Sequence, residues 1–228
     1  MKLLNFDEEA PEFFYVFMNL GNDVVKRVLK HNFQLNKRMV SASFQSFFIS
    51  PEKYIKGEFQ YLPFVKNENS TPVPSPFVLN TIKNYALEYN LETYRMSYYP
   101  IFPSRLGALY AFADLDTCVK VSEKYGWNVK EVKKFKLFSG MQEVRQFIRI
   151  VKCNMEIVSF MRSLPYEIND AEFLNKLYFD YWHCLEGNVT DLKSNEIIHI
   201  ENISEYLIDG ILESCEFSDD DKFQLGLI

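Results

Sequence analysis

YYPIFPSRLGALYAFADLDTCVKVSEKY, residues 98–125, reads as one structural unit and decides the fold class. A proline-bracketed loop ends in Ser104-Arg105. The apolar run Leu106 to Phe112 predicts a buried strand. Asp114 predicts the N-cap of an amphipathic helix with Leu115, Cys118, Val119 and Tyr125 turned inward. A strand that presents Ser, Arg and Tyr at its mouth is a place for chemistry, because a rigid element holds the groups still.

Outward from this unit, strands alternate irregularly with helices. Phe13 to Phe17 is an apolar run suited to a buried strand. Asn22 caps a helix whose apolar face is Val24, Val25, Val28 and Leu29. Val40 to Ile49 alternates small polar and aromatic residues, which fits a strand or an extended loop. A surface loop is expected near 62–76, where Asn67 to Pro76 carries three prolines. Ser75-Pro76 then starts a helix running to about Tyr94. Trp127 to Leu137 reads as a strand with a phase break near Val132. Met141 to about Arg162 reads as one long helix with the stripe Val144, Phe147, Ile148, Val151, Met155 and Val158. Asn169 and Glu172 resemble a capping box for an aromatic helix that stops at Gly187. Glu196 to Ile203 is a strand candidate, and Glu205 to Cys215 a helix candidate before an acidic tail. The expected class is α+β in a single domain spanning 1–228, with a small mixed or antiparallel sheet and helices around it.

Composition bounds the function. The chain has 228 residues, 47% hydrophobic and 25% charged, enough to bury a substantial core. Its net charge of -6 carries no global footprint for nucleic-acid binding. No apolar run approaches the roughly 20 residues of a membrane span, so no membrane partner is expected. The N-terminus, MKLLNFDEEAPEFF, turns acidic too early for a signal peptide. Cys118, Cys153, Cys184 and Cys215 are scattered, which fits reduced thiols and a cytoplasmic setting. His31, His183 and His199 lack metal-ligand spacing, so no metal site is expected.

Arg105 is the sharpest single candidate. A guanidinium there either caps a loop or grips a phosphate or carboxylate bidentately. Tyr110 is either a core tyrosine or a flat platform for a heteroaromatic ligand. Glu186, Asp191 and Glu196 lie between the last long helix and the next strand candidate. A carboxylate there either belongs to a solvated loop or steadies a cationic transition state. Lys130, Lys133, Lys134 and Lys136 read as a solvated strand face, too short and too poor in aromatics for a nucleic-acid site.

The segment PSRLGALYAF, followed by a helix, resembles a family of uncharacterised bacterial and phage proteins. Its members carry P-S-R-L-x-x-L-Y, a helix, a V-x-x-V-x-L strand, an aromatic helix ending Y-W-x-G, and an acidic residue entering an I-x-V strand. Here Tyr181-Trp182, Gly187, Asp191 and Ile197 to Ile203 follow in the same order. Phe14-Tyr15-Val16 is similar to the family's early Tyr-His strand. That family resembles the ADP-ribosyltransferase superfamily, which has a split β-sheet and helices around a cleft for NAD.

The resemblance implies an NAD-dependent ADP-ribosyltransferase acting on a protein or nucleic-acid acceptor. Such a protein would serve as a toxin or phage–host conflict effector, with a neutralising partner protein. NAD would be its substrate and no metal would be needed. Carried over, Tyr110 stacks on nicotinamide, and Ser104 and Arg105 line the NAD cleft. Val16 replaces the family's His, so the polar anchor is either absent or supplied by Tyr15. The catalytic carboxylate falls on Asp191, one methylene shorter than the usual Glu, with Glu196 in reserve and Glu186 as a further option. Two other readings stand beside this one: a catalytically inactive interaction module on the same fold, and an α+β protein unrelated to NAD.

Overall fold

The computed structural model describes residues 3–4, 9–18, 38–58, 76–138, 145–164, 170–190 and 195–215. The helix expected after Asn22, the loop near 62–76 up to Pro76, Asp191 and the acidic tail lie outside the described residues. The chain is α+β, with antiparallel sheets and helices packed against them.

The strands are β1 (Phe14–Phe17), β2 (Arg38–Val40), β3 (Leu109–Ala111), β4 (Val132–Leu137), β5 (Arg149–Asn154), β6 (Gly187–Thr190), β7 (Ile197–Ile200), β8 (Ser204–Asp209) and β9 (Ile211–Ser214). The helices are α1 (Ala42–Ile49), α2 (Pro51–Ile55), α3 (Pro76–Tyr98), α4 (Leu115–Tyr125), α5 (Met155–Ser163) and α6 (Ala171–Trp182). One sheet has the order β1-β4-β9-β2, a second has β3-β8-β5, and β6-β7 form a separate hairpin. All these pairings are antiparallel.

The two larger sheets meet at two points. β8 and β9 are consecutive, so the chain passes from one sheet to the other at Gly210. Tyr15 and Phe112 also exchange both backbone hydrogen bonds at 2.8 Å, joining β1 to the end of β3. Between the sheets lies a core of Phe14, Met39, Phe135, Ile150, Ile208 and Leu212. The opposite face of the β3-β8-β5 sheet packs Val151, Cys153 and Leu207 against Leu91 of α3, Ile157 of α5, and Leu177, Tyr181 and Trp182 of α6.

Local chemistry explains the helix ends. Ser41 accepts from the Phe44 amide and starts α1. Asp114 accepts from Thr117 at 2.6 Å and starts α4, which closes on Gly126 at φ 71°, a left-handed cap that suits glycine. Cys118 and Val121 are the buried residues of α4, whereas Leu115 and Val119 face outward. Asn154 caps α5 and Asp170 caps α6, one residue later than the expected Asn169.

Five sequence expectations are corrected. Residues 42–49 are helical because Ser41 caps them, and the strand before them stops at Val40. The long helix from Met141 dissolves into strand β5 followed by α5. Arg149, Ile150, Val151 and Cys153 are all buried, and a strand covered on both faces loses the two-residue alternation that distinguishes it from a helix. Residues 204–214 form β8 and β9 rather than a helix: β8 is buried at five of its six positions and loses its alternation in the same way, and Gly210 breaks the run. The expected strand from Leu106 shortens to Leu109–Ala111, since 105–107 form a turn. The strand expected from Trp127 begins only at Val132, because a 3-10 turn occupies Val129–Glu131.

Asp209 closes the crossing point. Its carboxylate accepts from Ser43 Oγ and, at 3.3 Å, from the Tyr54 hydroxyl. Burial pushes its carboxyl up to about 7, opposed by the nearby Arg149 charge and by the Tyr54 hydrogen bond. Between its ordinary value of 3.8 and about 7, the unfolded chain has lost this proton while the native carboxyl keeps it. The native state then binds more protons, so this group's contribution to stability falls as pH rises through that window. Asp209→Asn is expected to gain stability relative to the wild type between pH 5 and pH 8, measured by urea unfolding at both values. An unchanged difference would remove Asp209 as the titrating group.

Candidate functional site

The site grows from α3 and the loop after it. Glu92 and Arg95 sit one turn apart on α3 and form a buried ion pair, Nη2 to Oε1 at 2.8 Å. Arg95 Nη1 also donates to the carbonyls of Pro100 (2.8 Å) and Phe102 (3.0 Å). Ser104 Oγ donates to Glu92 Oε2 at 2.9 Å. One cation therefore holds residues 99–104 against the helix end and delivers Arg105 to a fixed place. Ser104 is fully buried in this brace and does not line the cavity described below.

Arg105 joins three elements. Its Nε and Nη2 donate to the Glu88 carboxylate of α3 at 2.8 and 3.1 Å. Its Nη1 donates to Glu205 Oε1 of β8 at 2.8 Å and to the Tyr181 hydroxyl of α6. The Tyr181 hydroxyl in turn donates to Glu205 Oε1 at 2.8 Å. Burial works against the Glu88 charge, but the Arg105 and Arg162 cations outweigh it and hold the carboxyl below its ordinary range. Among the described residues, Glu205 Oε2 accepts no hydrogen bond.

Beside this network opens a cavity of about 620 Å³, within the usual range of small-molecule sites. Arg105, Glu88, Glu205 and Arg162 supply its charged wall. Tyr110, Phe112, Phe17, Tyr125 and Trp127 supply an aromatic wall. The Tyr110 hydroxyl donates to the Arg105 carbonyl at 2.6 Å, which fixes the ring. Tyr110 is 37% exposed as a residue and lines the cavity, so it is a cavity wall rather than a sealed core residue. Trp127, at 45% exposure, packs edge-on against Phe17 with centroids 5.1 Å apart.

The cavity thus unites Arg105 and Tyr110, two of the residues singled out from the sequence. Tyr15 lies two residues before Phe17 on β1 and packs against the cluster of Phe112, Cys118, Val121 and Ile203 instead of lining the cavity. Glu196 is exposed just before β7, and Glu186 is exposed just before β6; neither lines the cavity. Lys136 pairs with Glu213 at 3.6 Å, and Lys134 lies over the Phe13 ring at 3.7 Å.

Glu88, Glu205 and Arg162 escaped the sequence reading. Glu205 was hidden by the helix expected over Glu205 to Cys215. Gly210, which interrupts the run Glu205 to Cys215 near its middle, is the signal that could have exposed it. Among the described residues no helix is long and apolar enough to cross a membrane, and no group of His, Cys, Asp or Glu could hold a metal ion.

Removing Arg105 would leave the buried Glu205 carboxylate without its counter-charge and Glu88 with Arg162 alone. Loss of one partner from such a buried network costs about 3–5 kcal/mol. Arg105→Ala should lower the unfolding free energy by roughly that amount in urea titrations. Arg105→Lys should recover little, because a single ammonium cannot reproduce the planar fork. A variant as stable as the wild type would show that the network contributes nothing to the fold.

No protein-family model matches the chain, and no curated protein is similar to it in sequence.

Proposed function

We propose that the chain binds NAD in this cavity and transfers its ADP-ribosyl group to a protein or nucleic-acid acceptor. The observation that carries the reading is the union, in one cavity, of the open Tyr110 ring with the Glu205 and Glu88 carboxylates. Oxidised nicotinamide is a flat cation. It is drawn to aromatic faces and to carboxylates. As the nicotinamide–ribose bond breaks, the positive charge passes to the ribose in an oxocarbenium-like state. The bonding electron pair leaves with nicotinamide, and the acceptor supplies the new bond to ribose.

Glu205 suits the electrostatic role better than Glu196. It is buried on a central strand, oriented through Oε1 by Arg105 and Tyr181, and its Oε2 is left for a ribose hydroxyl or the developing cation. Such preorganised charge needs no rearrangement during the reaction. In this reading the protein acts in the cytoplasm, as a toxin or phage–host conflict effector held in check by a neutralising partner.

One observation favours a second reading, a non-catalytic interaction module on the same fold. Arg105 already neutralises both acids, as a purely structural lock would.

NAD titration with measurement of nicotinamide release separates the two. Glu205→Gln should lower nicotinamide release about 10²–10³-fold, the size expected for losing one electrostatic stabiliser, and weaken NAD binding far less. Glu196→Ala should stay near the wild-type rate. If Glu196→Ala or Asp191→Asn abolishes release while Glu205→Gln does not, the acid is misassigned. Binding without release in the wild type would favour the interaction module.

A further inference from the structure

We infer that Arg162, and not Arg105, is the anion anchor of the cavity, and that it takes the diphosphate of the bound dinucleotide at the cavity mouth. This rests on the NAD reading above. Among the described residues, two cationic side chains line the cavity, Arg105 and Arg162. Arg105 is 8% exposed and already donates to Glu88, Glu205 and Tyr181. Turning it toward a phosphate would strip the buried Glu205 carboxylate of its counter-charge.

Arg162 is placed differently. It lies in the last turn of α5, and its side chain is 52% exposed. Its partner is Glu88 Oε1, at a distance of 3.4 Å, longer than an ordinary charge-assisted bond. Glu88 Oε1 also accepts from Arg105 at 3.1 Å, so Arg162 can leave without orphaning it. The rest of the Arg162 fork is then open to a phosphate, whose geometry it matches bidentately. Ser159, one turn earlier on the same face of α5, also lines the cavity.

The charge pattern sets the direction of the ligand. Glu205, which Arg162 does not pair with, favours the cationic nicotinamide and repels phosphate, whereas the half-exposed Arg162 attracts it. A ligand bound the other way round would put its diphosphate against the Glu205 carboxylate.

The test is calorimetry on the full chain with three probes: NAD, ADP-ribose and nicotinamide riboside, which has no phosphate. Arg162→Ala should weaken NAD and ADP-ribose by about 10–100-fold, the loss of one charge-assisted phosphate contact. It should leave nicotinamide riboside within about twofold, and Arg162→Lys should restore part of the phosphate-dependent affinity, as a point charge does. Thermal melts of both variants check that the fold is intact. Equal affinity of Arg162→Ala and wild type for NAD overturns the inference and leaves the transferase reading standing, as does equal loss for all three probes. If the wild type binds ADP-ribose through Arg162 but releases no nicotinamide from NAD, the anchor stands and the transferase reading fails. If the wild type binds neither phosphate-bearing probe, both are overturned.

Discussion

The Arg105 guanidinium is the constraint on which the arrangement depends. It reaches a carboxylate on a helix, a carboxylate on a central strand and a hydroxyl on a second helix. A buried charge is costly unless its donors are matched, and a matched planar fork tolerates little displacement of any partner. Glu88, Glu205 and Tyr181 therefore fix where α3, β8 and α6 stand relative to one another. The cavity lies along this junction, so the interaction that holds the elements together also gives the cavity its charged wall.

A second arginine, Arg95, makes the first possible. Its bonds to Glu92 and to the carbonyls of Pro100 and Phe102 tie the proline loop to the helix that precedes it. Ser104 completes that brace and so serves to aim its neighbour. The crossing at Gly210 plays the matching part on the sheet side. It lets one continuous stretch, 204–214, supply a central strand to each of two sheets, and it puts Glu205 on the cavity side and Asp209 at the junction with Ser43, Tyr54 and Arg149. Polar groups buried at both ends of β8 are expensive alone and specific together, which favours one register of that strand over its alternatives.

The same physics explains what could be read from the chain. Segments with one wet face and one dry face keep their period, and their caps are short-range chemistry. Asp114 and its helix and Pro76 and its helix were legible for that reason, while the strand at Phe14–Phe17 showed as a short apolar run. β5 and β8 are covered on both faces. Their apolar residues run on without alternation, and Arg149, Asp209 and Glu205 look like surface charges until their partners are known. Two of the misread stretches, 149–154 and 204–214, are therefore the ones that build the centre of the molecule.

By itself the amino-acid sequence determined the α+β class and the strand–turn–helix unit around Tyr110, and it singled out Arg105 and Tyr110 within that unit. These depend on neighbours within a few residues, where periodicity, capping and proline act. Which carboxylates meet Arg105 was decided only by tertiary structure. Glu88 is 17 residues before it and Glu205 is 100 residues after it. No local pattern records a contact over such separations. The choice is made by burial, because a cation enclosed at that depth needs carboxylates within hydrogen-bond reach, and the packing of α3 and β8 supplies these two.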